Sequence, residues 1–73
     1  MRLPIETIIT QYQQNLYAVA LNICKSPQDG EDVVQDTLLA YLSTHKDFET
    51  AEHIRAWLLR VAINKAKNKT QCH

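Results

Sequence analysis

The residues in this sequence best suited to chemistry are those that can hold a phosphate or read a base. From Ile54 onward, Arg55, Arg60, Lys65, Lys67 and Lys69 follow one another without a single acid. Ala56, Arg60, Asn64 and Lys67 recur at helical spacing, with His53 and Trp57 beside them. Arginine and lysine neutralise phosphates, while asparagine can both donate to and accept from a base edge. The small side chain of Ala56 would let a backbone approach closely. Phe48, just upstream, offers a stacking face for an unpaired base, and cations with a nearby aromatic are what single-stranded nucleic acid binding requires. The alternative places both aromatics in a core and leaves the cations solvated. Trp57 fits the core better; Phe48 fits either place.

A second cluster has the opposite sign. Asp29, Glu31, Asp32 and Asp36 form an acidic block. Asp32, Gln35, Asp36, Leu39 and Ser43 fall on one helical side at spacings of three and four, opposite Val34, Leu38 and Tyr41. Leu39 therefore sits as an apolar residue in an outward acidic stripe. Alone, an exposed leucine is unremarkable. Flanked by carboxylates and an amide, it could anchor a partner helix that carries basic residues, with the charges steering approach. The net charge of zero hides an acidic half and a basic half. That division suggests two partners of opposite charge, against the plainer alternative of two solvated faces.

Other chemistries find little support. His45 and His53 are the internal histidines, and neither has a nucleophile or paired carboxylate at a spacing that suggests catalysis. Cys24 falls on an apolar stripe and Cys72 in a polar tail, which makes no disulfide framework and no zinc spacing. Cys72 beside His73 could touch a metal only adventitiously. No enzyme activity, metal or cofactor is expected. No apolar run approaches the roughly 20 residues of a membrane span, and no signal peptide is visible, so a cytoplasmic protein without membrane contact is expected.

The elements that must position these residues are helical. The chain of 73 residues is 45% hydrophobic, with one Gly and two Pro, which leaves few turns for hairpins and favours an all-α fold. Pro4 suits a first helical position, and Ile5, Ile8, Ile9, Tyr12, Leu16, Val19, Ala20 and Ile23 follow as a 3.6-residue stripe, so a first helix is expected over roughly Pro4 to Cys24. Ser26-Pro27 restarts the helix, with Asp29, Glu31 and Asp32 near the positive end of its dipole. Val34, Leu38, Tyr41 and Leu42 form its inward stripe, flanked by Val33 and Thr37, and it should end near Thr44. Gly30 reads as a weak point, costing up to about 1 kcal/mol relative to Ala. After a loop from His45 to Glu49, Thr50 caps a third helix that reaches about Lys69. Ile54, Leu58, Val61 and Ala62 share its inner face, widened by Leu59 and Ile63, with Trp57 at the edge. Together these make a compact three-helix bundle.

Two stretches carry a family resemblance. Ser26-Pro27-Gln28-Asp29-Gly30-Glu31-Asp32-Val33-Val34-Gln35-Asp36-Thr37-Leu38 resembles the core-polymerase-binding segment of extracytoplasmic-function (ECF) sigma factors, where a D-x-E-D-hydrophobic-V-Q-[ED]-[TA] run is characteristic. Phe48, followed by Ile54 to Asn68 with its A-W-L-x-R-[VI]-A-x-N core, is similar to the minus-ten-recognition loop and helix of that family. The two occur in the correct order, and the likeness covers Tyr12 to Asn68.

The resemblance implies a sigma factor region 2-like domain over residues 1–73, which docks on core RNA polymerase and binds the single-stranded non-template minus-ten element. Asp32, Gln35, Asp36 and Leu39 would grip the clamp helices of the polymerase largest subunit. Phe48 and Asn64 would capture an unstacked base, with Arg60, Lys65 and Lys67 along the strand backbone. An anti-sigma factor is a further implied partner. The competing readings are a duplex-reading helical repressor and a protein-binding module that meets polymerase or an anti-sigma factor without touching DNA. The family's C-terminal helix-turn-helix domain and the additional N-terminal helix of some members are missing from the sequence, which suggests a fragment or truncated product. The loop reads Phe48-Glu49-Thr50-Ala51-Glu52-His53 where many members place Gly and Ser, and its acids should repel phosphate.

Overall fold

The computed structural model describes residues 1–70. The polar end read for Gln71, Cys72 and His73 lies outside the described residues. Three helices follow one another, α1 (Ile5–Cys24), α2 (Pro27–Ser43) and α3 (Ala51–Thr70), and each packs on both others. The all-α three-helix bundle expected from the sequence is the fold observed.

The termini of the helices follow from local chemistry. The Ser26 side chain accepts from Asp29 N–H at a long 3.5 Å, with Pro27 opening α2. Thr50 Oγ1 accepts from His53 N–H at 3.0 Å, so the expected cap of α3 is in place. The end of α1 uses a device the sequence did not announce. Lys25 takes a left-handed conformation, φ 61° and ψ 17°, and its N–H closes on Leu21 O at 2.8 Å. Glycine usually fills such a position because it lacks a Cβ.

The core contains Ile8, Leu16 and Ala20 from α1, Val33, Val34 and Tyr41 from α2, and Ile54, Leu58, Ala62 and Ala66 from α3, with Phe48 from the loop. On α2 the buried arc is rotated from the expected one by roughly 60° of helix. Val33 and Thr37 are fully buried and not flanking, while Leu42 is 56% exposed. Two features permit this. Thr37 hides its hydroxyl by donating to Val33 O at 2.7 Å, so it enters the core at little polar cost. Gly30 is buried against α1, where an added Cβ would lie 3.2 Å from Tyr17 Cε1. The glycine is a site of close helix approach, a packing role beyond the weak point read from the sequence. Ile9, expected on the inner stripe of α1, is 40% exposed. Cys24 is partly buried, with Sγ 3.7 Å from Ala66 O; desolvation pushes its thiol above the ordinary range, reinforced by Asp29 and opposed by Lys69.

Candidate docking and nucleic-acid faces

The acidic stripe of α2 faces outward as its spacing required. Asp32, Gln35 and Asp36 are exposed, and Leu39 is 60% exposed. The rotation of α2 adds a residue that sequence reasoning placed inside. Leu42 stands one turn from Leu39 on the same outward side, so the stripe carries an apolar pair. Its signal was present but ambiguous, because a leucine at the border of two arcs satisfies either. Gln35 also borders a groove of about 700 Å³ between α1 and α2, together with Gln14, Tyr17, Glu31 and Leu38.

The stripe on α3 divides. Ala56, Arg60, Asn64 and Lys67 are all exposed and share the side of the helix opposite Ile54, Leu58 and Ala62. Lys65 departs from them. It turns toward α2 and lines a cleft with Asp29, Asp36, Asn68 and Lys69. Lys69 reaches Asp32 Oδ2 at 3.6 Å, a surface pair of the kind worth at most about 1 kcal/mol. The acidic face of α2 and the basic end of α3 therefore adjoin at this cleft, and Lys65 is not brought beside Arg60, Asn64 and Lys67.

Phe48 is placed in the core. It is 1% exposed, so in this structure its ring presents no open face to a base. Its ring lies 6.0 Å from Tyr41, 5.6 Å from Trp57 and 5.3 Å from His53, measured between centroids. Asn64 stands seven residues beyond Trp57, about 10 Å farther along the helix axis. The physical reason is the size of the bundle. So small a domain has few large apolar groups with which to fill its core, and an aromatic in the loop between α2 and α3 closes the open end of the core. Trp57 is partly buried at the edge of this cluster, as expected. The ring left at the surface end of the stripe is His53, partly exposed, whose Nδ1 accepts from Glu49 N–H at 3.3 Å.

Among the described residues no group of acids, histidines and cysteines is arranged to hold a metal, and no helix is long and apolar enough to cross a membrane. The arrangement suits recognition: one outward face of carboxylates, amides and leucines, and another of cations and an amide.

Comparison with known proteins identifies the family. The family model for sigma-70 region 2 matches residues 8–71. The chain is 28% identical over 60 residues to RNA polymerase sigma factor SigV of Bacillus subtilis (strain 168), a match covering 82% of this chain and 36% of that protein. It is 42% identical over 40 residues to RNA polymerase sigma factor CnrH of Cupriavidus metallidurans, covering 55% and 21%. With ECF RNA polymerase sigma factor SigG of Mycobacterium tuberculosis it shares 36% over 53 residues, covering 73% and 14%. The chain thus spans about a third or less of the length of these relatives. No solved structure matches it at comparable significance. With the matched segment running through all three helices and both candidate faces, the chain belongs to the sigma-70 region 2 family, in its ECF branch.

Proposed function

We propose that this chain docks on core RNA polymerase through α2 and binds the single-stranded non-template strand of the minus-ten promoter element through α3. The observation that carries the reading is the pair of exposed stripes of opposite character on two adjacent helices: Asp32, Gln35, Asp36, Leu39 and Leu42 on one, Arg60, Asn64 and Lys67 on the other. Carboxylates around an apolar pair suit a partner helix bearing cations, here the clamp helices of the polymerase largest subunit. Cations around an amide suit a strand whose phosphates are held and one of whose bases is read. No step of chemistry is asked of the domain, which acts as a transcription initiation factor and not an enzyme. Its place of work is the cytoplasm, where polymerase and promoter are found. An anti-sigma factor would compete for the same leucines.

The test uses a polymerase pull-down and a binding comparison. Asp36→Lys combined with Leu39→Ala should abolish capture of core polymerase while helicity stays unchanged. Undiminished capture would remove the docking assignment. For the polymerase-bound chain, the non-template single strand should bind more tightly than the intact duplex of the same promoter. Preference for the duplex would favour the repressor reading, and indifference to both DNAs would favour a module that meets only protein.

A further inference from the structure

The segment between α2 and α3 is held by a residue far away in sequence. Helix α2 ends poorly by itself: its last turn has no basic residue, and Thr44 leaves it in an extended conformation at φ −78°, ψ 144°, without a glycine cap. The negative end of a helix dipole, with its unpaired carbonyls, ordinarily attracts a cation. Arg2 supplies it. Arg2 Nη2 donates to Tyr41 O at 2.9 Å, and Nη1 donates to Thr44 O at 3.1 Å and Lys46 O at 3.3 Å. The guanidinium carbon also lies 4.7 Å from the centroid of the Tyr41 ring. One planar fork therefore spans the last turn of α2 and the start of the loop. An ammonium, as a point charge on a flexible stem, lacks that geometry.

We propose that Arg2 is a positioning residue for the nucleic-acid face, fixing the segment 44–50 and through it the start of α3. The segment bears Phe48, which plugs the core, and Glu49, whose N–H meets His53 Nδ1. His53 opens the side of α3 that continues through Ala56, Arg60, Asn64 and Lys67. Glu49 is exposed, and Asp47 is tied to the Met1 ammonium at 2.8 Å, which also donates to Phe48 O at 2.6 Å. A loop loosened at its Arg2 end would let the charge of Glu49 wander toward the phosphates that this side is proposed to hold. Arg2 touches neither proposed partner surface, so its action is through the loop. The inference rests on the single-strand reading above and adds to it a residue that anchors the start of the loop.

The experiment compares Arg2→Ala and Arg2→Lys with the parent chain, with Asn64→Ala in parallel. Amide exchange is followed in the free chain at Lys46 and Glu49, whose N–H groups meet Thr44 Oγ1 and His53 Nδ1. Arg2→Ala should speed exchange at both about tenfold, with mid-helix amides of α1 unchanged, and Arg2→Lys should fall between. Polymerase capture should be unaffected, and single-strand affinity of the polymerase-bound chain should drop about three- to tenfold. Unchanged exchange at Lys46 and Glu49 would overturn the inference. So would faster exchange with undiminished strand affinity, provided Asn64→Ala still relaxes base choice. Strand binding indifferent to Asn64 and Arg60 would instead bring down the single-strand reading, and the inference with it. Should Arg2→Ala fail to fold, the Arg2→Lys comparison carries the same outcomes.

Discussion

The hydroxyl of Tyr41 and the backbone of Leu3 bond each other in both directions, across 38 residues of sequence. Tyr41 Oη accepts from Leu3 N–H at 2.8 Å and donates to Leu3 O at 2.7 Å. A tyrosine with a 1% exposed side chain must find a partner for its hydroxyl or bear the cost of leaving it dry. Here the residues preceding α1 provide that partner and are themselves ordered by it.

Tyr41→Phe keeps the ring and removes both bonds. Two backbone groups of Leu3 then lose their partner in a partly buried setting, so the change should cost about 1–2 kcal/mol. Urea denaturation measures it. A loss smaller than about 0.5 kcal/mol would show that water replaces the hydroxyl freely and that the contact orders nothing.

The helices were legible because their signals are local. Pro4, Ser26-Pro27 and Thr50 marked the starts of α1, α2 and α3, and the apolar periodicity of α1 and α3 gave their inner faces. What escaped depends on neighbours in space. Gly30 and Thr37 have no place on a hydrophobic tally, yet both sit in the buried arc of α2 and turn Leu42 outward. Phe48 satisfied two readings in sequence, and only its neighbours in space show it packed on Tyr41 and Trp57. For the candidate faces, exposure agrees with the spacing at Asp32, Gln35, Asp36, Leu39, Arg60, Asn64 and Lys67. Lys65, expected along the strand from the family resemblance alone, falls at helical spacing from Leu58, Val61 and Ala62 and lines the cleft toward α2. The clamp made by Arg2 is a contact over 39 to 44 residues, and no pattern in a single sequence announces it.

Lys25 is the natural place to stabilise the domain. As a non-glycine residue with φ 61°, it bears roughly 1 kcal/mol or more of left-handed strain that glycine would not. Glycine also gives the unfolded chain more freedom, which offsets part of the gain. Lys25→Gly should therefore raise stability by about 0.5–1 kcal/mol, read as a higher denaturation midpoint with an unchanged slope against denaturant. A destabilised variant would mean that the Lys25 side chain contributes more than its backbone strain costs.

Phe48 separates a core role from a base-stacking role. Truncation of a large buried ring costs about 3–5 kcal/mol, so Phe48→Ala should unfold much of so small a domain. Phe48→Leu is gentler and keeps the plug, and conditions can be chosen in which it remains folded. A ring that stacks on a base contributes roughly 1–3 kcal/mol per base, and leucine would forfeit it. The folded Phe48→Leu variant should bind the single strand within about twofold of the parent. A tenfold or larger loss at full helicity would return Phe48 to the nucleic acid and require the loop to open on binding.

The division of the cations on α3 makes the sharpest prediction. Arg60 and Lys67 share the outward side with Asn64, whereas Lys65 lines the cleft with Asp29 and Asp36. If the outward side follows a strand, each phosphate it neutralises adds about 0.7 to the magnitude of the slope of log affinity against log salt. Lys67→Ala and Arg60→Ala should each flatten that slope by about this amount and leave base preference alone. Asn64→Ala should do the reverse, relaxing base preference with little change in slope, because an amide reads an edge without neutralising charge. Lys65→Ala should change neither by much, since Lys65 lines the cleft with Asp29 and Asp36, away from the outward side. The measurement is a salt titration of the polymerase-bound chain against single strands that differ at one base. A slope that falls with Lys65→Ala as steeply as with Lys67→Ala would mean that the strand crosses the cleft between α2 and α3, and that the outward side of α3 is not its path.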